Sequence, residues 1–222
     1  MVNPRAALVA ACTVALAACG TGQSSETDLS KANIANVKNV RPTFGPQYHV
    51  TDVGPTGIDP RLLGPPTLPP GMKFDPADCA KVVSQQVLPS GLKGNMAATT
   101  AEGEGNRFIA IAVETSEAVP ANDPPSNCQK VGFDGGGMRG LVEVVDAPNI
   151  DDVHTRGSHR VVQTTVDGKQ RTGELYTYVA NFGTFMVIVT ANPLVVPEKP
   201  VAPVDTQRAR DLLTSAVADV KG

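Results

Sequence analysis

"HRVVQTTVDGKQRTGELYTYVANFGTFMVIVTANP", residues 159–193, decides the fold. Asp167-Gly168 is a dipeptide that takes positive φ at both central positions of a tight hairpin, and β-branched or aromatic runs flank it on both sides. A second turn signal, Asn181-Phe182-Gly183, follows after another strand-length run. Three antiparallel strands in a meander are the reading.

Upstream, "RFIAIAVET" (107–115) alternates Ile109, Ile111 and Val113 with Phe108, Ala110 and Ala112. Both faces are apolar, so this strand belongs in the middle of a sheet, and its alanine face lets a helix come close. "LVEVVDAP" (141–148) reads as a further strand. Downstream, "NPLVVPEKPVAPVD" (192–205) leads away from the sheet to a helix capped by Asp205. Ala209, Leu212, Leu213, Ala216, Val217 and Val220 lie on one stripe of that helix. Before the strands, "FDPADCAKVVSQQVLPSG" (74–91) carries Asp75 as cap, Pro76 in the first turn and Cys79, Val82, Val83 and Val87 at helical spacing. The expectation is an α+β domain over 75–222: a mostly antiparallel sheet with a three-stranded C-terminal meander and two helices packed on one face.

The N-terminus reads differently. "MVNPR" carries one charge, Arg5, and "AALVAACTVALAA" (6–18) is apolar or small except for Thr13. Such a run is shorter than the roughly 20 residues a membrane-spanning helix needs, and suits a signal peptide. "LAAC" (16–19) resembles the bacterial lipobox, in which the cysteine thiol takes a diacylglyceryl group before cleavage. Residues 1–18 are then a lipoprotein signal peptide and Cys19 is the lipid anchor, diacylglycerol plus a further acyl chain such as palmitate. Two or three chains, at about 0.8 kcal/mol per buried methylene, hold a protein on a membrane where one chain does not. Residues 19–41 read as a flexible tether with an average reach of about 25 Å. Residues 42–74, with the prolines that run on to Pro76, read as an extended arm. The expected location is the extracytoplasmic face of the cell membrane, in the cell envelope.

Two cysteines remain in the folded part, Cys79 and Cys128. In an exported protein an even pair reads as a disulfide, worth about 4 kcal/mol for a loop of about 50 residues in the chain-entropy model. Net charge is −3, so no basic surface suggests nucleic acid as a partner. With no Trp and 4 % aromatic residues, the core is aliphatic.

Signals for chemistry are weak. "GGGMRG" (135–140) matches G-x-G-x-x-G, but a strand rather than a helix follows it, so it reads as a glycine-rich loop. Asp151, Asp152, His154 and His159 form the best metal candidate by residue type, without a ligand spacing; a solvated loop is the favoured reading, with no metal and no cofactor. Ser90 and Ser158 read as turn residues, and no G-x-S-x-G elbow exists. Glu102, Glu104, Glu114 and Glu117 lack the sugar-stacking aromatics of a glycosidase cleft. No catalytic residue is assigned and the chain reads as a non-enzyme.

"IDPRLLGPPTLPPGMKFDPADCA" (58–80), "YTYVANFGTFMVIVTANPL" (176–194) and "PVAPVDTQRARDLL" (200–213) resemble segments of mycobacterial lipoproteins that carry a domain of unknown function. More remotely, the plan is similar to the extracytoplasmic sensor domain of the mycobacterial kinase PknH and to LpqN-type lipoproteins. The resemblance implies compartment and fold class, and brings no catalytic residues. The function expected is that of a membrane-anchored binding module for an apolar or lipid-like ligand, housed between sheet and helix where the small-residue strand faces leave room. The alternative is a lipoprotein that docks on another envelope protein through the proline-rich arm or the loop 122–137.

Overall fold

The computed structural model describes residues 28–59, 68–84, 88, 92–197 and 199–222. Cys19, the segment 1–18 expected to be a signal peptide, Ser90, Val87 and the start of the expected tether lie outside them. Among the described residues nine strands form one sheet: β1 His49–Gly57, β2 Lys73–Asp75, β3 Gly94–Gly103, β4 Asn106–Thr115, β5 Lys130–Gly135, β6 Met138–Val145, β7 His154–Val166, β8 Lys169–Phe182 and β9 Phe185–Pro193. Their order is β1-β3-β4-β9-β8-β7-β6-β5-β2, and every neighbouring pair is antiparallel. The helices are α1 Ala80–Ser84 and α2 Thr206–Lys221. The α+β reading and the meander β7-β8-β9 stand, with Asp167 (φ 51) and Gly168 (φ 71) in the first hairpin turn.

The sheet has two differently covered faces. On the helix face, α2 buries Ala209, Leu212, Leu213, Ala216, Val217 and Val220 against Phe108, Ala110, Ala112, Tyr178, Ala180, Val187, Val189 and Ala191. The Asp205 carboxylate accepts from the Arg208 N–H at 2.9 Å and caps the helix. Ala110 and Ala112 are fully buried there. The small residues serve close helix packing, so the ligand room expected between sheet and helix is filled by side chains.

The second element on the helix face is not the 75–91 segment. It is a 3-10 helix, Ile34–Thr43, which buries Ile34, Val37 and Val40 beside α2. A flexible tether running to residue 41 is therefore corrected: the fold begins by residue 33, whose side chain accepts from the Ala35 N–H at 2.9 Å. The extended arm is also corrected in part, because β1 pairs with β3 along its length and β2 with β5. Asp75 does not cap a helix; it is held in β2 opposite Gly132, and Pro76 precedes a short 3-10 turn, Ala77–Cys79, that leads into α1.

α1 lies on the opposite, loop face. Val83 and Cys79 pack with Cys128, Val131, Phe133 and Val142. Register places Val131 and Val142 level with Arg160 of β7, and Leu175, Thr177 and Val179 of β8 continue that face into the cluster of Met96, Ile111, Val113, Met186 and Ile188. The described parts of two excursions pack on this face: Ile58, Leu68, Met72, α1, Leu88 and Leu92 between β1 and β3, and Val119 and Cys128 between β4 and β5. Cys79 and Cys128 join them by a disulfide, with Cα atoms 5.5 Å apart. Among the described residues no helix is long and apolar enough to cross a membrane.

Candidate functional site

α2 covers β4, β9 and the near part of β8, and the 3-10 helix covers β3, so neither lies over the helix face of β2, β5, β6 and most of β7. The register writes this open area as three rows. The first is Lys73, Asp134, Arg139 and Gln163; the second is Asp75, Gly132, Leu141 and Val161; the third is Lys130, Glu143, His159 and Tyr176 of β8. The middle row is apolar at Leu141 and Val161, carries the Asp75 carboxylate at its outer end, and runs between two charged rows. Here lies a groove of about 580 Å3, lined by Leu141, Val161 and Gly132 with Phe74, Phe133 and Gly140, and bordered by Lys73, Asp75, Asp134, Arg139 and Gln163.

Two glycines shape the floor. A Cβ on Gly140 would lie 2.3 Å from the Phe133 ring and 2.4 Å from the Val161 carbonyl, so only glycine fits. A Cβ on Gly132 would meet nothing nearer than the Asp75 carbonyl at 3.8 Å. Gly132 is therefore empty space on the groove side.

At the groove's inner end the His159 ring is clasped. Its Nδ1 lies 2.9 Å from Glu143 and its Nε2 lies 2.9 Å from Glu174, and the ring stacks on Tyr176 at 4.1 Å between centroids. The His159 hydrogen bond holds the Glu143 carboxyl below its ordinary range, helped by Lys130 at 3.5 Å. Burial, with Glu174 close by, pushes the Tyr176 phenol up. Both imidazole nitrogens are engaged within the sheet, so the clasp ties β6, β7 and β8 together.

The metal candidate is not assembled. His154 and His159 are five residues apart on one strand and so emerge on opposite faces. His154 contacts Asp123 at 2.9 Å on the loop face, and Asp151 and Asp152 occupy the turn before β7. Among the described residues no group of three or more His, Cys, Asp or Glu could hold a metal ion. Ser158 lies on the face away from its neighbour His159. Glu102 pairs with Arg107 at 2.6 Å, and Glu104 accepts from the Tyr48 hydroxyl at 2.7 Å; burial above all pushes that phenol up to about 12. "GGGMRG" is a hairpin turn at Gly136 (φ 59) and Gly137 (φ 80) joining β5 to β6, a strand–turn–strand with no helix to receive a phosphate. The supposed docking loop 122–137 therefore includes β5.

Residues 33–221 match the family model described as a domain of unknown function, DUF5642. The chain belongs to this family. A DUF5642 relative of known structure is an uncharacterised protein of Mycobacterium smegmatis, 59% identical. That likeness covers 87% of this chain and 100% of the other, with a TM-score of 0.83. The extracellular domain of PknH from Mycobacterium tuberculosis is similar over 88% of this chain and 96% of its own, at 11% identity and a TM-score of 0.40. No curated protein matches. The mycobacterial resemblance read from the sequence is thus found again, and the DUF5642 match takes in the 3-10 helix Ile34–Thr43.

Proposed function

We propose that this DUF5642 protein is a non-enzymatic binding module, anchored by lipid at Cys19 on the extracytoplasmic face of the membrane, that holds an apolar ligand in the groove over Gly132, Leu141 and Val161. The groove carries the reading: its volume lies within the range of small-molecule sites, and its surface is apolar at Leu141 and Val161, with Lys73, Asp75, Asp134 and Arg139 around them to fix a polar end of the ligand. The buried disulfide suits an oxidising compartment.

Gly132→Leu tests the groove, because the new side chain enters open space rather than the core. Native mass spectrometry of protein exported from an actinobacterial host should show a mass excess that organic extraction removes. The Gly132→Leu protein should lack that excess and melt within a few degrees of the parent. An equal excess in both, or a parent that carries none and binds no fluorescent fatty acid, removes the groove reading and turns attention to protein docking.

Cys19→Ala tests the anchor separately. The processed variant should leave the membrane fraction and keep its folded spectrum; continued membrane association would end the lipid-anchor reading.

A further inference from the structure

The row of Lys73, Asp134, Arg139 and Gln163 does not end the open sheet face. Two residues farther along β7, Thr165 stands opposite Gln170 of β8 on the same side of the sheet. A second hollow, of about 300 Å3, lies there, lined by Thr165 and Gln170 and by Gly135 and Gly137 at the β5–β6 turn. It shares Asp134, Arg139 and Gln163 with the groove. The two spaces therefore adjoin across one row of side chains, apolar toward Leu141 and Val161 and polar toward Thr165 and Gln170.

The shared row has a definite chemistry. Arg139 Nε donates to Gln163 Oε1 at 2.7 Å, which sets the two planar groups side by side. The register places Asp134 between Lys73 and Arg139, yet among the described residues Lys73, Asp75, Asp134 and Arg139 form no ion pair. Two cations and two carboxylates thus border the junction, and their charges cancel. An anionic headgroup seated there meets Asp75 and Asp134; a cationic one meets Lys73 and Arg139. A hydroxyl meets no like charge, and it donates to a carboxylate while accepting from a guanidinium. Gln163, Thr165 and Gln170 extend the same mixture of donors and acceptors without charge.

We propose that the groove's ligand is an amphiphile with an uncharged, polyhydroxylated headgroup. Its tail lies over Gly132, Leu141 and Val161, and its headgroup fills the hollow between Asp134, Arg139, Gln163, Thr165 and Gln170. This rests on the groove reading above and adds the class of ligand to it. The strip from Gly132 to Val161 crosses three strands, about 10 Å, so it grips a short stretch of tail. None of the described residues lining the hollow is aromatic, so the headgroup is held by hydrogen bonds rather than by ring stacking. Those bonds replace bonds to water, so the tail supplies most of the affinity and the headgroup the selectivity.

The test uses the full chain and three probes with one tail: octyl glucoside, octanoate and octyltrimethylammonium, each below its micelle concentration at constant ionic strength. Octyl glucoside should shift the Leu141 and Val161 methyl resonances and the Gln163 and Gln170 side-chain amides saturably, and bind at least fivefold tighter than either charged probe. Asp134→Asn, at an exposed position, should weaken octyl glucoside several-fold and strengthen octanoate by removing a like charge. Gln170→Ala should weaken octyl glucoside and leave octanoate unchanged, whereas Gly132→Leu should weaken all three. Equal binding of the three probes at the methyl groups, or tighter binding of a charged one, overturns the headgroup proposal and leaves the groove standing. Octyl glucoside binding that neither Asp134→Asn nor Gln170→Ala diminishes does the same. No saturable shift of Leu141 or Val161 with any probe overturns the groove reading and this proposal together.

Discussion

A chain that begins at Pro46 is expected not to fold, whereas one that begins at Asp28 folds. The difference is the 3-10 helix Ile34–Thr43 and Phe44, which look expendable in a segment that reads as a tether. Ile34, Val37, Val40 and Phe44 are 4%, 1%, 0% and 9% exposed, packed against α2 and the sheet. At about 1.5–3 kcal/mol for each buried side chain, their removal forfeits about 6–12 kcal/mol. Net stabilities of about 5–15 kcal/mol leave little after that loss. The cut also strips one side of α2, whose Val220 carbonyl accepts from the Asn33 N–H at 2.9 Å. Circular dichroism and thermal melting of the two chains check this. A cooperative transition in the shorter chain, within about 2 kcal/mol of the longer one, would show that the segment is an accessory. Val40→Asp in the full chain offers a smaller change with the same sign, since it buries a charge beside α2 with no partner assigned to it.

Why that segment misleads is a matter of period. Ile34, Val37 and Val40 recur every third residue, the repeat of a 3-10 helix, which stacks them on a single face. A search for the 3.6-residue repeat, with Pro42 present, passes over them. β1 is harder still. Eight of its nine residues are exposed, so neither face carries an apolar signal, and it is a strand only because β3 offers it a register. β5 was readable in principle from Val131 and Phe133 alternating with Gly132 and Asp134, but its glycines suggest a loop. By contrast the α2 stripe, the Asp205 cap and the Asp167-Gly168 turn are local features whose chemistry forces their geometry. The groove belongs to neither class. It exists because α2 stops short of β7, β6 and β5, and because Gly132, opposite Leu141, leaves open space above the sheet. No motif records an absence of cover.

Replacing both Cys79 and Cys128 by alanine is expected to cost about 4 kcal/mol, from a loop of about 50 residues no longer closed in the unfolded chain. For a domain of this size that lowers the melting midpoint by roughly 8–16 °C. The loss has a direction in the structure as well. After β1, and again after β4, the chain reappears at the far edge of the sheet, as β2 and α1 the first time and as β5 the second. The disulfide is the covalent link between those two segments, and the 1% and 3% exposed sulfur pair sits among Val83, Val131, Phe133 and Val142. β3, β4 and β9 depend on α2 and the 3-10 helix instead. Amide exchange in the double variant should therefore quicken most in β2, α1 and β5, and least in β4 and β9. A uniform loss of protection would mean that the sheet unfolds as one unit; a stability change below about 1 kcal/mol would mean that packing alone fixes that edge. The groove makes the distinction functional, because β2 and β5 form its outer wall. If the edge loosens first, reduction of the protein releases whatever the groove holds before the core has opened.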